Sequence, residues 1–120
     1  GDEDDFFPEN VIFGVTVESN RDYPELSKAP KQTDRLRYAW MLSKQLNKRV
    51  LLSIEPIMDF DFYEFSQAIK LIGPIRVAVG FDNYKNNLPE PSVQKTINLI
   101  HELEKFTDVS RKNLRGYPDP

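Results

Sequence analysis

A chain of 120 residues is long enough for one domain with a real core, and its hydrophobic share of 39%, with eight Phe, five Tyr and one Trp, excludes a disordered polymer. The formal charge of −3 gives no broad attraction to nucleic acid, so nucleic acid is not an expected partner of this segment. The absence of Cys excludes disulfides, thiolate zinc sites and cysteine-held iron–sulfur clusters within the chain, and no apolar run approaches the roughly 20 residues of a membrane span.

Residues 1–9 read as an acidic leader, a solvated charge run from Gly1 to Asp5 followed by Phe6-Phe7-Pro8-Glu9. A strand is predicted over 10–18, where Val11, Phe13, Val15 and Val17 alternate with Gly14, Thr16 and Glu18. The Ser, Asn, Asp, Pro and Lys of residues 19–31 make a long loop after its carboxyl end. Leu36, Ala39, Trp40 and Leu46 then predict a helix over 32–47, with Arg35, Arg37, Lys44 and Gln45 mostly outside the apolar stripe.

A second strand is predicted over 49–55, because Pro56 stops strand hydrogen bonding just after Glu55. Asp61 followed three residues later by Glu64 is an aspartate version of a capping box. The helix it opens, over 61–72, carries Phe62, Phe65, Ile69 and Ile72 and ends at Gly73-Pro74. The third strand covers 75–81. Ser92 is the expected N-cap of a helix over 92–106 whose stripe is Val93, Ile97, Ile100, Leu103 and Phe106. Only a weak fourth strand signal surrounds Val109, before the Gly116-Tyr117-Pro118 stop and a tail over 116–120.

Strand followed by helix, three times over, calls for parallel strands with right-handed crossovers in an α/β fold. The long loops follow strands and the short ones follow helices, so ligands are expected at the carboxyl ends of the strands. Leu36, Trp40, Phe65, Ile69, Ile97 and Ile100 are the residues expected to be buried against Val15, Leu52 and Val77.

The alternation places Gly14, Thr16 and Glu18, then Ser53 and Glu55, then Ala78, Gly80 and Asp82, on one sheet face. That face has the character of a pocket lining with three acids at its rim. Strand-end carboxylates bind divalent metals, accept hydrogen bonds from sugar hydroxyls or an ammonium group, or act as acid and base. The plain alternative is that Glu18 and Glu55 cap helix ends or pair with surface Lys and Arg. One of Asp59 and Asp61 is expected to cap a helix. His101 has no second His beside it and reads as a surface or boundary residue. Arg111, Lys112 and Arg115 read as a solvated basic tail, and Asn83-Tyr84 as turn chemistry beside Asp82. No phosphate-cradling Gly-rich loop, nucleophile elbow or metal-ligating His pair is present.

The runs Asn10-Val11-Ile12-Phe13-Gly14-Val15-Thr16-Val17-Glu18-Ser19, Ser53-Ile54-Glu55-Pro56-Ile57-Met58-Asp59-Phe60-Asp61 and Val77-Ala78-Val79-Gly80-Phe81-Asp82-Asn83-Tyr84 resemble the carboxyl half of radical-SAM-like proteins. The group they are most similar to is a poorly characterised set found in phages, bacteria and archaea. Leu88-Pro89-Glu90-Pro91-Ser92 and Lys112-Asn113-Leu114-Arg115 are similar too, so the likeness spans about residues 6 to 115.

The resemblance implies a single α/β domain over 10–115 whose three βα units form a parallel half-barrel, a partial TIM-type barrel. It implies Thr16, Glu18 and Ser19 as contacts of S-adenosylmethionine, and Ser53, Glu55, Asp82 and Asn83 as substrate-pocket residues. The complete protein would also hold a four-iron, four-sulfur cluster, through cysteines that this chain lacks, so the chain alone should not perform radical chemistry. A full eight-unit barrel takes roughly 250 residues, and three units with a tail account for somewhat less than half of it. The expected partner is therefore the missing amino-terminal half of the barrel, or a second copy that covers the sheet edges. Two other classes stay open: a stand-alone α/β enzyme using the three acids on a divalent metal, and a non-catalytic binding or assembly module. With no secretory signal pattern, the cytoplasm is the expected compartment.

Overall fold

The computed structural model describes residues 11–26, 31–82 and 87–112. In chain order the elements are strand β1 (Ile12–Thr16), helix α1 (Gln32–Trp40) running on into a π-helical turn (Met41–Gln45), β2 (Arg49–Ile54), α2 (Phe62–Ile72), β3 (Arg76–Gly80), α3 (Val93–Leu103) and β4 (Asp108–Lys112). The four strands form one sheet in the order β1-β2-β3-β4, and every neighbouring pair is parallel. The fold is thus α/β, with the three expected strands and helices in place. β4 corrects the sequence reading: the segment around Val109 is a full strand, paired with β3 from Arg76↔Asp108 to Gly80↔Lys112.

The register explains the layers. Val15, Leu52, Val77 and Val109 stand in one row across the sheet, with Val17, Val50, Ile54, Val79 and Phe81 in the same phase. Helical side chains pack onto them in a single cluster that includes Leu36 and Ala39 of α1, Phe65, Ile69 and Ile72 of α2, and Leu99, Ile100 and Leu103 of α3. All three helices therefore cover the same face of the sheet, as right-handed crossovers between consecutive neighbouring strands require. The neighbouring row, Thr16, Ser53, Ala78 and Ser110, lies on the opposite face. No described helix covers that face, and Gly14 and Thr16 are exposed on it.

The ends of the helices follow local chemistry. Ser92 caps α3 by accepting from the Lys95 N–H at 3.1 Å, and Gly73 closes α2 in the left-handed region at φ 66°. Asp61 stands at the N-cap of α2, but its carboxylate bonds no helical N–H, a departure from the expected capping box. α1 is capped from a distance: Asp22 accepts from the Thr33 N–H at 3.2 Å and the Thr33 hydroxyl at 3.1 Å.

Trp40 is 39% exposed, contrary to expectation, and Ile97 is only half-buried. Gln32, Leu36 and Ala39 already form the inward line of α1, which leaves Trp40 on a flank. The π-helical turn then widens the spiral, with the Leu46 N–H reaching the Met41 carbonyl at 3.0 Å, and it brings Leu42 inward while Leu46 stays 49% exposed. Among the described residues no helix is long and apolar enough to cross a membrane.

Candidate functional site

The carboxyl ends of the strands are laced together by the segment between β2 and α2. The Val17 N–H donates to the Ser53 carbonyl at 2.9 Å, that of Met58 to Glu18 at 2.8 Å, that of Ile57 to Gly80 at 2.8 Å and that of Asp59 to Pro89 at 2.6 Å. Ile57, Met58 and Phe60 drive this segment inward, since each is buried at 4% exposure or less. What faces outward is the polar remainder, Asp59 and Asp61.

Those two carboxylates are the centre of a charge network that composition and spacing did not reveal. Arg21 reaches Asp61 with Nη2 at 2.8 Å and Nε at 3.3 Å, and Asp59 with Nη1 at 3.2 Å. Lys95 donates to Asp59 at 2.7 Å and to the Phe60 carbonyl, and its ammonium lies 4.7 Å from the centre of the Phe60 ring. The Asp59 carbonyl accepts from the Ser19 hydroxyl at 2.6 Å and the Tyr23 hydroxyl at 2.8 Å. Asn20 closes the network, giving its amide to Asp61 at 3.2 Å and accepting the Asp61 N–H at 2.8 Å.

Two acids and two bases balance here, and the titration shifts follow from the contacts. Partial burial pushes the Asp59 carboxyl up, but the Lys95 hydrogen bond, the Phe60 N–H and the charges of Lys95 and Arg21 outweigh it and hold the group below its usual range. Hydrogen bonds from Arg21 and then Asn20 hold Asp61 low as well. The Arg21 guanidinium is pushed up, chiefly by its hydrogen bond to Asp61. Every charge in the network has a partner, so it is built to fix three segments: the loop after β1, the segment before α2 and the first turn of α3. The sequence signal that could have found it is the pair Asp59 and Asp61 flanking a buried Phe60.

The residues expected from sequence are distributed differently. Glu18 is drawn to α1: its Oε1 accepts from Arg35 Nη1 and from Gln32 Nε2, both at 3.3 Å, while its N–H donates to Gln32 Oε1 at 2.7 Å. Ser19 is fully buried, its hydroxyl donating to Asp59 and accepting the Arg21 N–H at 2.9 Å. Thr16, Ser53 and Glu55 remain on the uncovered side, with the Ser53 hydroxyl 3.5 Å from Glu55 Oε1. Asp82 is 8% exposed, and Asn83 lies outside the described residues. Among the described residues no three His, Asp or Glu side chains are grouped so that they could hold a metal ion.

His101 is exposed on α3, and Arg111 pairs with Glu104 at 3.1 Å; the Lys112 side chain and Arg115 lie outside the described residues. Two clefts, of about 460 and 580 Å³, lie at the opposite end of the sheet, beside Arg76, Asp108, Pro74 and Thr107. They are polar and open, and their flanking acid Glu104 is already paired with Arg111, so the strand carboxyl ends remain the stronger site. No protein-family model matches the chain, and neither a curated protein nor a solved structure matches it.

Proposed function

We propose that the chain is the carboxyl-terminal part of a radical-SAM-like partial α/β barrel and that its uncovered sheet face forms part of the S-adenosylmethionine and substrate pocket. The observation that supports this most is the one-way winding of the sheet. Doubly wound sheets reverse their strand order and carry helices on both faces. A sheet in sequential order with all helices on one face is the pattern of a barrel wall. On the free face Thr16, Ser53, Ala78 and Ser110 form one row, Glu55 follows at the carboxyl end of β2, and Ile12, Arg49, Leu51, Arg76 and Asp108 stand toward the amino ends.

In this reading the Thr16 and Ser53 hydroxyls and the Glu55 carboxylate bind and orient S-adenosylmethionine, with Asp82 toward the substrate. Ser19 and Glu18 act through the fold: Ser19 fixes the Asp59 segment, and Glu18 holds Arg35 and Gln32. The chain has no Cys and does not fit the iron–sulfur cluster, which belongs to the rest of the complete protein. Cluster and cofactor together supply the radical chemistry of such enzymes. The divalent-metal reading has no donor group among the described residues.

Calorimetric titration of the complete gene product with S-adenosylmethionine tests the proposal. Thr16→Val with Glu55→Gln should weaken binding by roughly tenfold or more, since a lost hydrogen bond to a charged group costs on the order of 1.5–3 kcal/mol. Unchanged affinity, or a native reading frame with no group of three cysteines upstream, would overturn it.

A further inference from the structure

We propose that this chain, on its own, pairs with a second copy of itself through both sheet edges, β4 of each copy against β1 of the other. Among the described residues β1 is bonded only to β2 and β4 only to β3. The Val17 N–H points to β2, so the backbone groups in its phase do likewise, and the N–H groups of Gly14 and Thr16 point away from the sheet. Val11 and Ile12 are 38% and 46% exposed at this edge. Such an edge is a template for another strand.

The uncovered face chooses the arrangement. Parallel sheets occur almost only with both faces covered. An antiparallel pairing of β1 with its own copy would lengthen the sheet and leave both free faces in water. A twofold axis running along the strands instead keeps all strands parallel and brings β4 to β1 at two equivalent seams. Each free face then turns inward toward the other, and two four-stranded walls make the eight strands of a closed barrel. Arg35 lies 3.5 Å from the Thr16 carbonyl, a long contact that an incoming strand can displace.

This inference rests on the barrel-wall part of the proposed function and not on its radical-SAM part. In the longer protein the amino-terminal half would take the same edges. Loss of cofactor binding there would leave the self-pairing standing, and a folded monomer here would leave the cofactor reading standing.

Sedimentation equilibrium of the 120-residue chain is the test. A particle of twice the 14.0 kDa chain mass is expected. Gly14→Pro removes an outward N–H at a position where an added Cβ meets nothing within 4 Å. Ile12→Lys sets a charge on the same edge without touching the backbone. Each should raise the dissociation constant more than about tenfold while circular dichroism shows a folded chain. A wild-type monomer at all concentrations overturns the proposal, as does a dimer that neither variant weakens. Gly14→Cys provides the only thiol in the chain, and a disulfide between two copies of it would set β1 against β1 and overturn it too.

Discussion

Arg21 and Asp61 meet through two parallel hydrogen bonds, Nη2 to Oδ1 at 2.8 Å and Nε to Oδ2 at 3.3 Å, across 40 residues of sequence. The third arm of the same guanidinium reaches Asp59 at 3.2 Å. One planar side chain thereby ties the loop after β1 to the segment that laces the strand ends. A flexible ammonium cannot reproduce that fork.

Arg21→Lys should therefore loosen both segments although it keeps the charge. Amide hydrogen exchange is expected to rise several-fold at residues 19–26 and 57–61 together, with the strands unchanged. A rise confined to the first loop would show that Ser19 and Tyr23 suffice to hold the second.

Acid should weaken the same region. Asp59 and Asp61 are both held below the usual carboxylate range, so the folded state binds fewer protons than the unfolded chain. Their contribution is fully present above the unfolded value of about 3.9 and is lost as pH falls through the lower folded values. Urea unfolding between neutral pH and pH 3 should show a plateau and then a decline. In Asp59→Asn with Asp61→Asn the plateau should be lower and the decline shallower. An identical decline in the double variant would assign the acid loss to other groups.

Sequence made the helix-covered face legible because β-branched and aromatic residues alternate strictly there, as in Phe13, Val15 and Val17. β4 was faint for a physical reason. As an edge strand with one open side it carries Asp108, Ser110, Arg111 and Lys112, and Val109 is its lone apolar residue. The capping box at Asp61 was legible as a pattern, but a charged fork from Arg21 outbids a backbone N–H for the same oxygens. Nothing in the spacing of Arg21, Lys95 and Gln32 announces their contacts, which arise only when the loops close over the strand ends. Ser19, which the resemblance marked as a cofactor contact, continues the line of Val15 and Val17 and is buried with them, its hydroxyl turned to the Asp59 carbonyl.

The core prediction concerns Ile69, which is fully buried between α2 and the sheet. Ile69→Ala should cost about 2–5 kcal/mol in urea unfolding, from lost transfer energy and the cavity left behind. A loss below roughly 0.5 kcal/mol would mean that α2 does not bury this face.

Gly73 tests the turn into β3. Its φ of 66° is left-handed, and its N–H closes α2 on the Ile69 carbonyl at 3.1 Å. An added Cβ would come 3.0 Å from the Lys44 ammonium, the tip of a flexible side chain that can move. The cost of Gly73→Ala is then mainly backbone strain, roughly 1–2 kcal/mol. Gly73→Asn should lose less, because Asn tolerates this conformation. Equal stability of the wild type and Gly73→Ala would refute the strain argument.

Glu18 and Glu55 occupy equivalent strand ends, and their surroundings differ. The Glu18 side chain is 19% exposed and its ion-pair partner Arg35 is 18% exposed, so the pair is largely withdrawn from water. Glu18→Gln weakens that pair and should destabilise the chain by about 1 kcal/mol. Among the described residues the Glu55 carboxylate meets the Ser53 hydroxyl, at 3.5 Å, on the face that no described helix covers. Glu55→Gln should therefore leave unfolding within about 0.5 kcal/mol of the wild type. In the complete gene product it should nevertheless weaken S-adenosylmethionine binding, because a ligand ammonium would lose its counter-charge. Thermal unfolding and calorimetric titration of both variants decide the matter. If Glu55→Gln costs the stability and Glu18→Gln costs the binding, the pocket lies on the α1 side of the strand ends and the free face of the sheet is not its wall.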